Sequence, residues 1–283
     1  MLDSYKRTVA LELQRKHGFQ LQKNYGQNLL TDANIIEKIV DAGEISATDT
    51  VLEIGPGFGA LTTALSRRAG KVIAVEIDRK LIPILEEVLD GAENTEIVTG
   101  DFMKYDMRRL PDGFKLMGNL PYYITTPIIG KILEQPATPE RMVFMVQKEV
   151  AERLCAPPGS KTYGAISVFV QYHCAVSAVM TVSKEVFMPK PNVDSAVIVL
   201  KPYPEKPVSP KDEKLFFSIV KAGFGQRRKM IRNAIASAVP SKGDLDTAFA
   251  VTGIDPDTRA ERLSVAEFVA LADAVLECAG NET

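Results

Sequence analysis

Four residues, Asn119-Leu120-Pro121-Tyr122, carry the most pointed chemistry in the chain. They follow an apolar run, Phe114 to Gly118, that reads as a strand. At the carboxyl end of a strand, an Asn side-chain carbonyl and a nearby backbone carbonyl can both accept from the exocyclic amine of a flat base. Pro121 brings no competing N–H and fixes the backbone. Tyr122 offers a ring on which a base can stack. The same residue types also build ordinary turns, so the corner takes its meaning from its neighbours.

Three further features sit at the ends of strand-like runs that precede it. Glu53-x-Gly55-x-Gly57-x-Gly59 leaves the first strand, and its glycines allow a tight turn and close backbone approach to a ligand. A nicotinamide cofactor would prefer G-x-G-x-x-G with a helix N-terminus facing a pyrophosphate. Here the third glycine comes one residue early and Pro56 occupies the turn. Glu76 closes the second strand in Val75-Glu76-Ile77-Asp78, where an acid can accept both ribose hydroxyls. Asp101 follows the third strand, placed to take an adenine amino group while Phe102 covers the ring. One such acid alone is an ordinary solvated strand-end carboxylate. Four features in strand order, on the edge where open α/β sheets bind ligands, read as a site for S-adenosylmethionine (SAM).

The elements that must position these residues alternate. Helices are expected over Asp32–Ala42, Ala60–Ala69, Arg79–Leu89, Glu149–Cys155 and Tyr163–Tyr172. Strands are expected over Thr50–Ile54, Lys71–Ile77, Thr95–Thr99, Phe114–Gly118 and Arg141–Val146, with Ala175–Val182 and Ser195–Leu200 as a closing pair. That alternation implies an α/β, doubly wound sheet with helices on both faces. Four prolines between Lys201 and Pro210 mark a linker. Beyond it the pattern is helical only: Lys211–Phe224, Gln226–Ala238, Gly243–Ala250 and Ser264–Cys278. The expected organisation is a cofactor-binding domain over 1–203 with an N-terminal helical extension, a linker over 204–210, and a small helical domain over 211–283.

Composition narrows the classes. A chain of 283 residues with 46% hydrophobic residues suits a large domain and a small one. No apolar run is long enough to span a bilayer, and Met1–Lys16 reads as a charged helix rather than a secretion signal. The expectation is a cytoplasmic protein with three reduced thiols, Cys155, Cys174 and Cys278. Two histidines, His17 and His173, offer neither a metal set nor a catalytic triad, and His173 reads as a core residue. The net charge of −2 disfavours broad nucleic-acid binding. Charge is concentrated locally, however: Lys221, Arg227, Arg228, Lys229 and Arg232 share one stretch without an acid, suited to phosphates.

The chain resembles the ribosomal RNA adenine dimethyltransferases over essentially its whole length. Lys23-Asn-Tyr-Gly-Gln-Asn-Leu-Leu30 is similar to the family's K-x-F-G-Q-N-F-L motif. Phe187-Met-Pro-Lys-Pro-Asn-Val-Asp-Ser195 is similar to F-x-P-x-P-x-V-x-S, and Phe224-Gly-Gln-Arg-Arg-Lys-Met-Ile-Arg-Asn233 to F-x-Q-R-R-K-x-x-R-N. Tyr25 and Leu29 stand where phenylalanine is commoner, so aromatic packing at Leu29 is not expected. The resemblance implies a Rossmann-like class I SAM-dependent methyltransferase sheet, with Asn28, Leu30, Gly55, Glu76, Asp101 and Asn119 on the cofactor. Gly57, Gly59, Ile77 and Phe102 complete that edge. Asn119 with the Leu120 or Pro121 carbonyl would hold the target amine, and Tyr122 and Phe187 would flank the base. The implied reaction is N6,N6-dimethylation of two adjacent adenines in a hairpin near the 3′ end of small-subunit rRNA. The immature small subunit would be the partner, a monomer the working form, and no metal would be needed. Two alternatives stand beside it: a resistance-type methyltransferase of large-subunit RNA, and an assembly or transcription factor that keeps the fold without catalysis. Leu120 and the Gln-Arg-Arg-Lys stretch favour the small-subunit type over the first.

Overall fold

Short apolar runs bounded by Gly, Asp and Asn become the strands of one sheet. The computed structural model describes residues 1–21, 28–121, 124–137, 139–239 and 242–280. It divides into two compact units, Met1–Ala151 with Val176–Pro202, and Glu152–Ala175 with Tyr203–Thr283.

In the first unit, α1 (Arg7–Lys16) precedes β1 (Leu29–Leu30) and α2 (Ala33–Ala42). Asp32 caps α2, accepting from the N–H groups of Asn34 and Ile35. Next come β2 (Thr50–Ile54), α3 (Ala60–Ser66), β3 (Lys71–Glu76), α4 (Ile82–Val88), β4 (Thr95–Thr99) and β5 (Lys115–Asn119). The chain continues through α5 (Thr125–Leu133), β6 (Arg141–Gln147), α6 (Lys148–Leu154), α7 (Ala165–His173), β7 (Cys174–Val182), β8 (Phe187–Met188) and β9 (Ser195–Pro202). The seven-stranded sheet has the order β4-β3-β2-β5-β6-β9-β7. Its first five strands are parallel, and β9 runs antiparallel to β6. Val51 and Leu52, neighbours on opposite faces of β2, are both fully buried, so both faces are covered. The strand order reverses between β2 and β5, which opens the crevice where such sheets take ligands. There Gly118 lets the backbones approach, since a Cβ would lie 2.8 Å from Ile54 O.

Several elements differ from expectation for local reasons. The helix expected from Arg79 begins only at Ile82, with Pro83 in its first turn, where its missing N–H costs nothing. β5 extends one residue further than expected, so Asn119 belongs to the strand itself. α5 and the two-stranded β1–β8 sheet were not anticipated.

The second unit contains α7, α8 (Glu213–Gly225), α9 (Ile231–Ile235), α10 (Lys242–Thr252) and α11 (Val265–Gly280). Its core joins Tyr163 and Tyr172 to Phe216, Ile219, Phe249 and Phe268. The segment Glu152–Ala175 therefore packs here, whereas a single cut after residue 203 would assign it to the first domain. The helix expected over Gln226–Ala238 is shortened to Ile231–Ile235. Gln226 leaves helical geometry at φ −129°, ψ 53°, and α9 starts only after Met230. Arg227, Arg228 and Lys229 thus lie on a turn, not on one helix face with Arg232. No described helix is long and apolar enough to cross a membrane.

Candidate active site

The turn from β2 into α3 holds Gly55, Gly57 and Gly59 at φ of 66°, 59° and 76°. Side chains rarely adopt this left-handed region, so the Gly-x-Gly-x-Gly spacing is a backbone requirement. The turn is tied to the next strand through Gly57, whose N–H donates to Glu76 Oε2 at 3.3 Å. Glu76 Oε1 accepts from the Asp78 N–H at 2.8 Å. Glu53 stands on β2 beside them, 1% exposed.

On the other side of the crevice, Asn119 ends β5. Its Nδ2 donates to Asn28 O at 3.2 Å, which leaves Oδ1 as the acceptor of that side chain. The next residue is anchored by Leu120 N–H to Met145 O at 3.0 Å. Pro121 O already accepts twice, from Ile124 N–H at 3.1 Å and Thr125 Oγ1 at 3.2 Å, as the chain turns into α5. Asn28 is held in turn by the β1–β8 sheet, where Leu30 pairs with Phe187 and Leu29 with Met188. Thr31 adds two bonds to Val186 O, from its N–H and its hydroxyl, both 2.8 Å.

These elements enclose one cavity with about 1060 Å³ of empty space counted out to its open mouth. Asn28, Leu30, Gly55, Gly57, Glu76, Ile77, Asn119 and Pro121, all anticipated from sequence, line it. Residues that were not anticipated, Ser4, Leu21, Phe58, Asp78, Leu81 and Met145, line it too. Ile77 is 57% exposed at the rim, an apolar side chain left in solvent. The described lining contains three carboxylates, Glu53, Glu76 and Asp78, and no Lys, Arg or His. Burial raises the pKa of Glu76, against the opposing pull of its backbone donors. Burial pushes Glu53 up to about 8; neighbouring Glu76 adds to this and the Thr62 hydroxyl opposes it.

Other anticipated residues lie elsewhere. Gly59 is the N-terminal cap of α3 rather than part of the described lining. Asp101 follows β4 and its carboxylate caps a short 3-10 turn, accepting from Met103 N–H at 2.8 Å. Phe102 is 5% exposed and also absent from the described lining. Leu120 is 1% exposed and is likewise absent from the described lining. Phe187, expected as a stacking face for the base, is 5% exposed and belongs to the buried cluster that includes Leu30, Ile39, Met145 and Val182, with its backbone paired to Leu30. Tyr122 and residues 23–27 of the entrance motif lie outside the described residues.

One residue that the sequence did not flag ties two of these segments together. Lys131 on α5 donates to Phe102 O at 2.5 Å and Tyr105 O at 2.8 Å, with its ammonium 4.9 Å from the centre of the Phe102 ring. The helix that follows the Asn119 corner thereby grips the loop bearing Asp101. Its signal was a lone lysine in an apolar helix, Ile128-Ile129-Gly130-Lys131-Ile132-Leu133.

In the second unit the basic stretch is not uniform. The Arg227 guanidinium donates to Lys161 O, Tyr163 O and the Glu261 carboxylate at 3.0–3.1 Å, fastening its turn to the rest of that unit. Arg232 pairs with Asp246. Lys221, Arg228 and Lys229 are exposed.

The family model described as Ribosomal RNA adenine dimethylase matches residues 18–276. The chain belongs to this family. It is 45% identical over 276 residues to the Ribosomal RNA small subunit methyltransferase A of Geobacillus thermodenitrificans, covering 94% of each chain. It is 46% identical over 275 residues to the protein of the same name from a second Geobacillus strain, covering 93% of this chain and 94% of that one. Among solved structures, a dimethyladenosine transferase from Plasmodium falciparum matches with TM-score 0.77 and 27% identity, over 89% of this chain and 98% of that chain. The 23S rRNA methyltransferase ErmE matches with TM-score 0.72 and 27% identity, over 87% and 98%. The adenine dimethylase family thus includes the corner at Asn119, the glycine turn and the basic stretch within one matched span.

Proposed function

We propose that this chain is a SAM-dependent methyltransferase that converts adenine to N6,N6-dimethyladenine in small-subunit ribosomal RNA. The observation that carries the reading is the cavity at the β2/β5 switch point, with Asn119 Oδ1 at one wall and the carboxylates of Glu53, Glu76 and Asp78 at another. SAM bears one net positive charge at neutral pH, and this donor set suits it. Glu76 and the Gly55–Gly57 turn would hold its adenosine and methionine parts against the ends of β2 and β3. Bound SAM supplies a methyl group on a sulfonium, already an excellent leaving group.

The protein's task is the nucleophile. An adenine N6 lone pair is delocalised into the ring. Asn119 Oδ1 and a backbone carbonyl would accept the two N–H bonds, favour a tetrahedral nitrogen and stabilise its growing positive charge. That carbonyl would come from Leu120 or Pro121, of which Pro121 lines the cavity. No strong base is needed, because the methylated ammonium is very acidic. In-line alignment of nitrogen, methyl and sulfur supplies the remainder. A paired base cannot reach this depth, so the target adenine is flipped out, with Tyr122 as the stacking candidate. Arg228, Lys229 and Lys221 would hold phosphates of the ribosomal RNA. The finer reading is two adjacent adenines near the 3′ end of that RNA, presented by an immature small subunit in the cytoplasm to a monomeric enzyme.

The test uses purified protein, labelled SAM and small subunits from cells lacking the modification, with large subunits and naked RNA alongside. Dimethyladenosine in small-subunit RNA alone is the expected result. Label in large-subunit RNA would replace this reading with the resistance type. SAM binding with no transfer to any substrate would replace it with an assembly role.

A further inference from the structure

Two acids of unequal circumstance share the cofactor cavity. Glu76 has a backbone N–H on each oxygen, from Gly57 and Asp78. Glu53 is 1% exposed, and its Oε2 has no hydrogen-bond partner among the described residues. Around it, β3 contributes Glu76, the following turn Asp78, α3 the Thr62 hydroxyl and β5 the Asn119 amide. None of the described lining residues brings a cation. An ionised carboxylate so placed is unpaired and beside a like charge, which is the costly state for a buried acid.

We infer that Glu53 is the charge-sensing group of this cavity: its carboxyl releases a proton to solvent when the cationic methyl donor binds, and takes one back when that donor has become the neutral thioether product. The inference rests on the reading of the cavity as the SAM site. Before the donor binds, Glu53 is a neutral acid near pH 7, in keeping with the rise that burial imposes on it. A ligand with a net positive charge favours the carboxylate, so the O–H bond breaks and the proton leaves. Methyl transfer removes the sulfonium charge and restores the original preference. Glu53 thereby separates two ligands of nearly identical shape by charge, and disfavours retention of the product. It is a specificity-determining residue with no part in the transfer step itself.

Calorimetric titration of the full-length protein at pH 6.5, in buffers of different ionisation enthalpy, counts the protons exchanged on binding. At this pH the ammonium groups of both ligands stay protonated. Release approaching about one proton is expected with SAM and about none with S-adenosylhomocysteine. Glu53→Gln should abolish the release while both ligands still bind, and should cut the preference for SAM over the thioether by roughly tenfold, the equivalent of one unit of linkage. Equal release with the two ligands, or undiminished release in Glu53→Gln, would overturn the inference. Should that variant fail to fold, the wild-type ratio of SAM to thioether affinity between pH 6 and 7 decides. A rise of up to about tenfold supports the inference, and a flat ratio refutes it. No SAM binding at all would bring down the cofactor reading and this inference together, whereas binding without proton release would bring down this inference alone.

Discussion

Asn119 Nδ2 donates to the backbone carbonyl of Asn28, 3.2 Å away and 91 residues earlier in the chain. The bond leaves the amide carbonyl as the acceptor that, in the proposed reaction, would meet the substrate amine. It also makes the entrance segment a positioning element for the target corner. Asn119→Ala should lower the transfer rate by roughly 10²–10³-fold, the usual consequence of removing one group that stabilises developing charge. SAM affinity should weaken without vanishing. Single-turnover rates and calorimetry on the same preparation check this; unchanged turnover would refute the mechanism.

Lys131 links α5 to the loop of Asp101 and Phe102. Lys131→Met should weaken SAM roughly tenfold, in line with the loss of charge-assisted bonds to backbone at a partly exposed site, and Lys131→Arg should recover most of it. Methylthioadenosine, which lacks the methionine part, should lose affinity to the same degree, because Asp101 on that loop is the expected partner of the adenine amine. Affinities that do not move would make Lys131 a purely structural residue.

The arginines of the basic stretch should separate on charge reversal. Arg228→Glu should weaken binding to the ribosomal subunit and flatten its salt dependence while leaving the melting temperature near the wild-type value. Each lost phosphate contact lowers the slope by roughly 0.7–0.9. Arg227→Glu should also destabilise the second unit, because it puts a carboxylate against two carbonyls and Glu261. Filter binding across salt concentrations, paired with thermal melting, distinguishes the two.

His173 gives a pH signature. Packed against Phe169, Tyr172 and Phe217, its imidazole is pushed down to about 4, by burial first and by Lys206 second. An unfolded histidine titrates near about 6.5. Between these values the unfolded chain binds more protons, so the stability contribution is fully present above pH 6.5 and is lost as pH falls towards 4. Melting curves over that window should drop more steeply for wild type than for His173→Phe. Parallel curves would assign the acid sensitivity to other groups.

The central strands were readable because parallel strands buried on both faces are short apolar runs, such as Val72–Val75 within β3, set off by turn residues such as Gly55 and Asp78. Glu53 and Lys131 could be seen in the sequence but not their isolation or reach, which depend on residues brought in from other strands. The β1–β8 pair was hidden, since two residues carry no periodicity and Leu30 meets Phe187 only across most of the unit. For the same reason Phe187, beside a proline-rich segment, read as an exposed loop aromatic. The late start of α9 was masked by Gln-Arg-Arg-Lys, four good helix formers whose local preference yields where Arg227 is clamped. The placement of Glu152–Ala175 follows from Tyr163 and Tyr172 meeting Phe216 and Phe268, which no local pattern announces.

The position of β9 between β6 and β7 sets an order of assembly during synthesis. A nascent chain that has reached Val182 already contains β7 but not the strand that joins it to the sheet, and β6 ends in an open row of backbone donors and acceptors. The wall that holds Asn28 waits as well, because its partner strand is Phe187–Met188. The sheet and the wall of the cavity therefore close only after Ser195–Pro202 has left the translating ribosome, and a product cut short before Ser195 would carry an exposed sheet edge prone to pair with its own kind.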